Sequence, residues 1–497
     1  MKIIVMLASL ALSLPAAAQT SNPAIQDSAA TLHAIFEANR AALHIPGTVY
    51  GVVQDGKLVL VEGLGTRDPQ TGAAVDADTR FRIASMSKAF TALAILHLRD
   101  QGKISLDAPA SRYVPEMRKW KLPTGDSRAI TVRDLLHHTA GFVEDNPWGD
   151  RQQVLTEREF SALIAGGMDF ATAPGTRMEY SNYGFALLGR IITNVSRRPY
   201  QQYIRQTIML PLGMTSTGYD VFASPAESRA IGYRWQDNAW VREPDMRDGT
   251  FGAMGGVETT ANDYAKWIAF LLSAWPPRDG PELGPVRRSA VRDMVNLASP
   301  RGAVIRAAEL GPPCRQAVSY GTGLNVIDDC DLGRVVTHSG GYPGYGSNML
   351  LLPDAGVGFF VFNNRTYGGS GLAQMKVALA LRKAGAVPDR DVPVSSGLAE
   401  AYAKAKAVWQ SGDPAAAPLA NNVAMDSDLA RRAKEIAALK AKAGTCPMTE
   451  AIKPVSAAEG TFAWTCSGGI VEGRVQRAPV GTLQLQVIDF RAGVSAR

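Results

Sequence analysis

Apolar and polar positions alternate over residues 48–53 and 57–64, on either side of Asp55-Gly56. Alternation with a period of two predicts β-strands, and an Asp-Gly pair between two such runs is typical of a hairpin turn. Residues 24–43, which precede this hairpin, have the spacing of a helix. The sequence therefore predicts a helix followed by a β-hairpin at the start of the folded chain.

A second pattern joins a short strand to a long apolar helix. Residues 81–83 predict a strand that leads directly into Ser85, and residues 86–101 are almost wholly apolar. A helix without a polar face is typical of a protein core. Gly102 follows as the predicted C-cap, since glycine readily adopts the left-handed conformation found there.

The remaining elements predict the fold class. Helical patterns interrupted by Pro/Gly loops dominate residues 105–310, and strand patterns return near the end of this region. These later strands cover residues 319–327, 334–338, 348–352 and 357–362, with a helix at 372–383. Because strands cluster at both ends, we predict an α+β fold. An antiparallel sheet built from both chain ends is flanked by helices, with a helical lobe inserted between them.

The composition changes beyond residue 393. Residues 398–443 are rich in Ala and Lys and predict helices, whereas residues 459–489 predict short strands. We therefore expect a main domain over residues 24–385 and a small C-terminal module, helical and then β, over residues 394–497.

The first eighteen residues have the features of a signal peptide. Lys2 supplies a positive charge, residues 3–14 are apolar, and small residues precede Gln19. The apolar run is too short to cross a bilayer, which needs roughly twenty residues. We expect cleavage after residue 18, and a bacterial protein that is periplasmic or secreted and not inserted in the membrane.

Charge and cysteine content narrow the classes of partner. The 497 residues carry a net charge of +6 without a concentrated basic stripe, which argues against nucleic acid as a partner.

The spacing of the four cysteines suggests two local disulfides, which an exported location favours. Zinc binding is the alternative, but no Cys-x-x-Cys motif is present. The candidates are Cys314, Cys330, Cys446 and Cys466. No metal or cofactor is predicted, and the oligomeric state stays open.

The motif Ser-Met-Ser-Lys at residues 85–88 supplies a candidate nucleophile and base. Ser85 stands at a helix N-terminus, where the helix dipole favours developing negative charge. Lys88 lies one turn along the same face, and burial makes a lysine lose its proton more readily. An exposed N-cap serine followed by a surface lysine is the alternative. The apolar helix beyond favours catalysis.

The motif Tyr-Ser-Asn at residues 180–182 follows a Pro-Gly turn and precedes a predicted helix. The Tyr180 phenol can relay a proton to a leaving group, and the Asn182 amide can hold a substrate carbonyl. A buried structural tyrosine with an N-cap asparagine is the alternative interpretation.

The third motif, His-Ser-Gly at residues 338–340, ends a predicted strand. Gly340 and the following Gly341 would let a substrate backbone approach this strand edge, beside His338. The N–H groups of Ser85 and Gly341 would then form an oxyanion hole. The alternatives are a packed imidazole and a plain bulge; His97, His137 and His138 are interpreted as structural.

These motifs, in this order, carry a resemblance to a known family. Three further segments support it: Phe-Arg-Ile-Ala at 81–84, Leu-Leu-His-His-Thr-Ala-Gly at 135–141, and Gly-Tyr at 341–342. Over about residues 27–385 the chain resembles the serine β-lactamase and penicillin-binding superfamily. It is most similar to the class C-like branch of serine hydrolases: family S12 peptidases, D-aminopeptidases and related esterases.

The resemblance implies a β-lactamase/transpeptidase-like fold and a role for each motif residue. Ser85 would be the acylated nucleophile, Lys88 the general base and Tyr180 the proton shuttle. Asn182 would contact the substrate, and the oxyanion hole would again consist of the N–H groups of Ser85 and Gly341.

The third motif departs from the Lys-Thr-Gly of class C β-lactamases. A lysine there would hold a substrate carboxylate, whereas His338, with an ordinary pKa near 6.5, is mostly neutral at pH 7. We therefore expect an exported serine hydrolase that cleaves a small amide, D-amino-acid peptide or ester through a Ser85 acyl-enzyme. The alternatives are a class C-like β-lactamase or penicillin-binding protein, and an inactive protein that binds cell-wall fragments.

Overall fold

The computed structural model describes residues 23–296, 298–390 and 392–493. The predicted signal peptide lies outside the described residues. The chain forms two compact units, one up to Asp389 and one from Arg390 onward. Each unit is described by itself.

A nine-stranded antiparallel sheet is the framework of the first unit, with the strand order β3-β2-β1-β13-β12-β11-β10-β9-β8. Thr48 of the first strand lies opposite Asn363 of the last, so the two ends of the unit pair in the centre of the sheet. The prediction of a sheet built from both chain ends is confirmed. The strands of the unit are β1 (Gly47–Gln54), β2 (Lys57–Asp68), β3 (Ala73–Ala74), β4 (Phe81–Arg82), β5 (Tyr233–Gln236), β6 (Ala239–Arg242), β7 (Glu258–Thr259), β8 (Ser299–Ile305), β9 (Arg315–Tyr320), β10 (Asn325–Asp329), β11 (Gly333–Tyr342), β12 (Tyr345–Leu352) and β13 (Val357–Asn363).

Helices cover both faces of this sheet. Along β13, Phe359 and Val361 face one apolar core, and Phe360 and Phe362 face the other, because successive side chains of a strand point to opposite sides. Every residue of β13 is therefore buried. The helices are α1 (Pro23–Asp27), α2 (Ala29–Ala42), α3 (Ser87–Asp100), α4 (Val132–Leu136), α5 (Asn146–Gly149), α6 (Glu157–Ala165), α7 (Asn182–Ser196), α8 (Tyr200–Ile204), α9 (Ala261–Leu272), α10 (Arg288–Asp293) and α11 (Gly371–Lys383).

Helix α3 is the central helix of the larger core. Its side chains are buried from Ser87 to Leu96, as expected for a helix without a polar face. The helix ends at Asp100, and Gly102 follows in the left-handed conformation with a φ of +70°. Lys88 of the first motif lies in the first turn of this helix, and Ser85 lies just before the helix begins.

Two segments differ from the sequence prediction. The strand predicted over residues 319–327 is two strands, β9 and β10, because a turn at Gly321–Gly323 folds the chain back against α3. The region predicted as mostly helical also contributes the edge strand β8 and the hairpin β5–β6. Strand β8 is exposed and contains Pro300 and Gly302. Because both residue types are uncommon inside strands, the sequence does not predict a strand here.

The second unit packs three helices on a four-stranded antiparallel sheet. Phe462 and Trp464 alternate with exposed residues along one strand and stack on each other in the core. The sheet order is β14-β15-β16-β17. The elements are α12 (Ser396–Ser411), α13 (Asn421–Asp426), α14 (Leu429–Ala443), β14 (Lys453–Ser456), β15 (Glu459–Cys466), β16 (Gly469–Arg477) and β17 (Leu485–Ala492).

The four candidate cysteines form two disulfides. Cys314 pairs with Cys330 beside strands β9 and β10, and Cys446 pairs with Cys466 in the second unit. Within residues 23–296, 298–390 and 392–493, no helix is both long and apolar enough to span a bilayer.

Candidate active site

Ser85 lies in a single 3₁₀ turn, Ala84–Met86, between β4 and α3. It is 5% exposed. Ala84 has a φ of +48°, a left-handed conformation that a residue with a Cβ adopts at a cost. Such strained positions cluster at functional sites. The backbone at Ser85 is therefore held in a fixed, unusual shape by the structure around it.

Lys88 is fully buried, and its ammonium group donates to three oxygen atoms. Nζ lies 3.1 Å from Ser85 Oγ, 2.6 Å from Asn182 Oδ1 and 2.8 Å from the Met254 carbonyl oxygen. The amide and carbonyl oxygens only accept hydrogen bonds. A neutral Lys88 amine can therefore keep both of those bonds with its two remaining N–H groups, while its lone pair faces the Ser85 hydroxyl.

Burial also sets the charge of Lys88. Removal from water lowers its pKa to about 7, while the negative charges of Asp150 and Asp145 act in the opposite direction. Near neutral pH a substantial fraction of the amine is unprotonated. An unprotonated Lys88 amine at this distance can accept the proton of Ser85.

Tyr180 stands on the other side of the lysine. The Lys88 Nζ lies 4.9 Å from the centre of its ring. Burial raises the pKa of Tyr180 above its ordinary value, and a hydrogen bond to Ser85 acts against that increase. The phenol therefore stays protonated at neutral pH and carries a proton within reach of Ser85.

Asn182 is fully buried at the start of α7, and both ends of its amide are engaged within the protein. Oδ1 accepts from Lys88, and Nδ2 donates to Asn146 Oδ1 at 3.3 Å and to Asp150 Oδ1 at 3.5 Å. Its predicted role was to hold a substrate. That role stays a prediction; within the protein, the amide lies between Lys88 and Asp150 and contacts both.

Strand β11 brings the third motif alongside Ser85. Gly340 has no space for a side chain, because a Cβ atom there would collide with the Ile83 carbonyl oxygen and with Ser347 Oγ. The Ser347 hydroxyl in turn donates to the Ile83 oxygen at 2.8 Å. Gly340 thus packs against the turn that carries Ser85, while Gly341 points to the opposite side, against the ring of Tyr367.

His338 is buried and hydrogen-bonded on both ring nitrogens. Nδ1 lies 2.7 Å from the Ser339 carbonyl oxygen, which can only accept, so Nδ1 carries the proton and donates. Nε2 then accepts from the Tyr320 hydroxyl at 3.2 Å. Burial and the nearby Lys88 charge lower the pKa of His338 to about 3. The imidazole is therefore neutral at physiological pH and lies 6.5 Å from the Tyr180 ring.

The structure adds residues that the motifs did not indicate. Asp145 accepts from the backbone N–H groups of Asn182 and Tyr183 and so caps α7, next to the negative charge of Asp150. The local sequence Asp-Asn-Pro predicts Asp145 as a cap of α5, but its side chain makes no capping bond there, and nothing local connects it to α7 or Ser85. His138, interpreted as structural, packs on Tyr180 with ring centres 4.4 Å apart. No group of three or more metal-ligating side chains lies together in the described part of the chain.

The chain is similar to known proteins both in sequence and in fold. The family model described as Beta-lactamase matches residues 32–383. Protein flp of Staphylococcus aureus (strain N315) is 31% identical over 340 residues, which cover 68% of this chain and 63% of flp. The chain thus spans less than two thirds of the length of this relative.

Two solved structures share the fold at 21% sequence identity. The octameric penicillin-binding protein homologue from Pyrococcus abyssi superposes with a TM-score of 0.60, over 90% of this chain and 96% of that one. EstCE1, a hydrolase with promiscuous acyltransferase activity, gives a TM-score of 0.59 over 72% of this chain and 99% of its own. The family match covers well over half of the sequence, and the chain belongs to the Beta-lactamase family.

Proposed function

We propose that this protein is an exported serine hydrolase that cleaves a small amide, a D-amino-acid peptide or an ester through an acyl-enzyme on Ser85. The observation that carries the proposal is the buried Lys88, whose pKa of about 7 makes it a base at neutral pH, 3.1 Å from Ser85 Oγ. Enzymes that use general bases tune them toward the working pH in this way.

The proposed acylation begins when neutral Lys88 takes the Ser85 proton as Oγ attacks the substrate carbonyl carbon. The N–H groups of Ser85 and Gly341 receive the negative charge that develops on the carbonyl oxygen. Tyr180 then gives its proton to the leaving nitrogen or oxygen and regains one from the Lys88 ammonium. Attack of water on the ester of Ser85 releases the acid and restores the serine.

The neutral His338 supports the peptidase and esterase side of this proposal. A cation at this position would bind a substrate carboxylate, whereas a buried imidazole with a pKa of about 3 carries no charge. We therefore place the protein in the D-aminopeptidase and esterase-like S12 branch. Turnover of β-lactams is the second candidate, for which appreciable hydrolysis of a chromogenic cephalosporin is the test.

Two further assignments belong to the proposal. The disulfides Cys314–Cys330 and Cys446–Cys466 support export, since such bonds persist in oxidising compartments. We also assign the hydrolase domain to residues 24–385 and a C-terminal module to residues 394–497. The two compact units and the family match to residues 32–383 support this division.

A fluorophosphonate probe tests the nucleophile. The protein should be labelled at Ser85, and Ser85→Ala should lose labelling while keeping its melting temperature. The same change at the exposed Ser105 is the matched control and should leave labelling intact. Undiminished labelling of a folded Ser85→Ala protein would show that another residue is the nucleophile.

Replacement of Lys88 tests the base. Because a general base contributes about 10²–10⁴-fold, Lys88→Met should slow labelling at pH 7 by that factor. The rate for the unmodified protein should rise with pH through about 7, as Lys88 loses its proton. Lys103→Met, at an exposed position, should change neither the labelling rate at pH 7 nor its dependence on pH. An unchanged rate in Lys88→Met would reject the assignment of the base.

A further inference from the structure

Asp150 is a buried carboxylate that belongs to none of the three motifs. It directly follows α5 and is 1% exposed. Its Oδ1 accepts from Asn182 Nδ2, and its Oδ2 accepts from the Tyr367 hydroxyl at 2.9 Å. Burial of a charged carboxylate with so few hydrogen-bond partners costs free energy, so the position of Asp150 needs a physical explanation.

Asp150 helps to fix the direction of the Asn182 amide. Nδ2 of Asn182 faces the side-chain oxygens of Asn146 and Asp150, and an ionised carboxylate can only accept hydrogen bonds. The amide oxygen must therefore point the other way, toward Lys88 at 2.6 Å. A reversed amide would place N–H groups against the Lys88 ammonium and remove one of its three acceptors.

Several side chains surround Lys88 closely enough to influence its pKa. The polar and titratable groups around it come from several elements, and two carboxylates are among them. These groups are Ser85 on the turn before α3, Tyr180 and Asn182 at the start of α7, His138 after α4, His338 on β11, and Asp145 and Asp150 around α5.

The two carboxylates differ in the hydrogen bonds that they accept. Asp145 accepts three hydrogen bonds at the N-terminus of α7, from Ser181 Oγ and from the N–H groups of Asn182 and Tyr183. Its charge is used to cap that helix. The Asp150 carboxylate accepts instead from the side chains of Asn182 and Tyr367. The groups that act on its charge are Tyr367, Lys88, Arg151 and Asp145.

We propose that Asp150 is a positioning residue of the Ser85 site, which holds Lys88 against Ser85 through Asn182 and whose charge sets the pH range in which Lys88 accepts a proton. The inference rests on the proposed function of Ser85 and Lys88. Burial raises the pKa of Asp150, and the hydrogen bond from Tyr367 lowers it and so favours the ionised form. The negative charge in turn raises the pKa of Lys88 against the effect of its own burial.

Tyr367 extends this connection to the surface. Its hydroxyl donates to Asp150, its ring packs on Gly341, and its side chain is 43% exposed. Arg151 donates to the same hydroxyl at 3.3 Å. A residue that favours the ionised form of Asp150 therefore lies beside the strand position predicted to supply the oxyanion hole.

The test is the pH profile of Ser85 labelling by a fluorophosphonate probe. Asp150→Asn keeps the shape of the side chain but removes its charge, so the acid-side inflection should move down by about one pH unit. The limiting rate at high pH should fall about tenfold, because Asn182 loses its fixed direction. Asp169→Asn, an exposed position, is the matched control and should keep the original profile.

Tyr367→Phe is the second variant and carries the test if Asp150→Asn does not fold. Without the phenol hydroxyl, Asp150 stays protonated to a higher pH, so the inflection should move in the same direction by a smaller amount. Absence of labelling in the unmodified protein at every pH would reject the proposed function. Normal labelling with an inflection near pH 7 that neither folded variant shifts would reject the role of Asp150 alone.

Discussion

Lys88 and His338 are two buried nitrogen bases near Tyr180, and burial lowers the pKa of both. The pKa of Lys88 falls only to about 7, because Asp150 and Asp145 favour its charged form. The pKa of His338 falls to about 3, since the Lys88 charge opposes its protonation and only the Ser339 carbonyl favours it. Lys88 therefore gains or loses its proton near neutral pH, whereas His338 stays uncharged there.

The neutral His338 predicts sensitivity to acid. Between pH 6.5, the ordinary pKa of a histidine, and about pH 3, the unfolded chain binds a proton at this residue that the folded chain does not. The free energy of unfolding should therefore decrease as the pH falls through this window, by up to about 1.4 kcal/mol per unit from this group. His338→Asn, whose amide can donate to Ser339, should lose less stability than the unmodified protein between pH 6 and pH 4.

Melting temperatures measured across this range provide the readout. Burial lowers the pKa of His137 to about 4 and that of His138 well below its ordinary value, so these two residues should contribute acid sensitivity that remains in the variant. His44→Asn, at an exposed histidine, should show the full loss. An equal loss in His338→Asn would mean that His338 does not control the acid response.

At the scale of elements, the site depends on the close approach of the Ser85 turn to β11 and β12. Ile83 is bound from two directions: its N–H donates to Val257 at 3.0 Å, and its carbonyl accepts from Ser347. Gly340 allows this approach, because any side chain there would enter the space of the turn. The glycine of the third motif thus allows the Ser85 turn to pack closely against the neighbouring strand.

Gly340→Ala should therefore displace the turn. We expect a destabilisation of about 1–3 kcal/mol, typical of overpacking, and a loss of Ser85 labelling larger than the stability change alone explains. Gly125→Ala, where a Cβ atom meets nothing within 4 Å, is the matched control. Denaturant unfolding and labelling rates measure both effects. Labelling of Gly340→Ala at the unmodified rate would contradict this packing role.

Elements with a strong local pattern were predicted from the sequence, and those shaped by neighbours were not. The hairpin around Asp55-Gly56 and the apolar helix α3 have the predicted positions, since alternation and the lack of a polar face are properties of the local sequence. The turn at Gly321–Gly323 was not predicted, because its glycines lie inside a segment interpreted as one strand. Its conformation is stabilised by packing, with Gly323 at a φ of +78° against α3.

At the scale of the whole molecule, the central pairing of β1 with β13 brings the beginning and the end of the first unit together. The turn before α3, the start of α7 and strand β11 come from distant parts of the sequence and meet around Lys88. The order of the motifs along the chain therefore becomes a spatial cluster only through the sheet.

Export is the prediction that belongs to this scale. Expressed with its own N-terminus in a bacterial host, the protein should be recovered from the periplasm with Gln19 as its first residue. Its four cysteines should not react with a thiol reagent before reduction, because all are paired. A form lacking residues 2–18 should stay in the cytoplasm with reactive thiols. Recovery of uncleaved full-length protein from the cytoplasm would contradict the prediction.

The sequence by itself determined the candidate nucleophile and base, because residues three apart on a helix share a face whatever surrounds them. It also determined the fold class, through strand patterns at both ends of the main domain. Only the tertiary structure decided the charge of Lys88, the neutrality of His338 and the position of Asp150 beside Asn182. These properties arise from burial and from charges on distant segments, and a pKa depends on everything that surrounds the group in space.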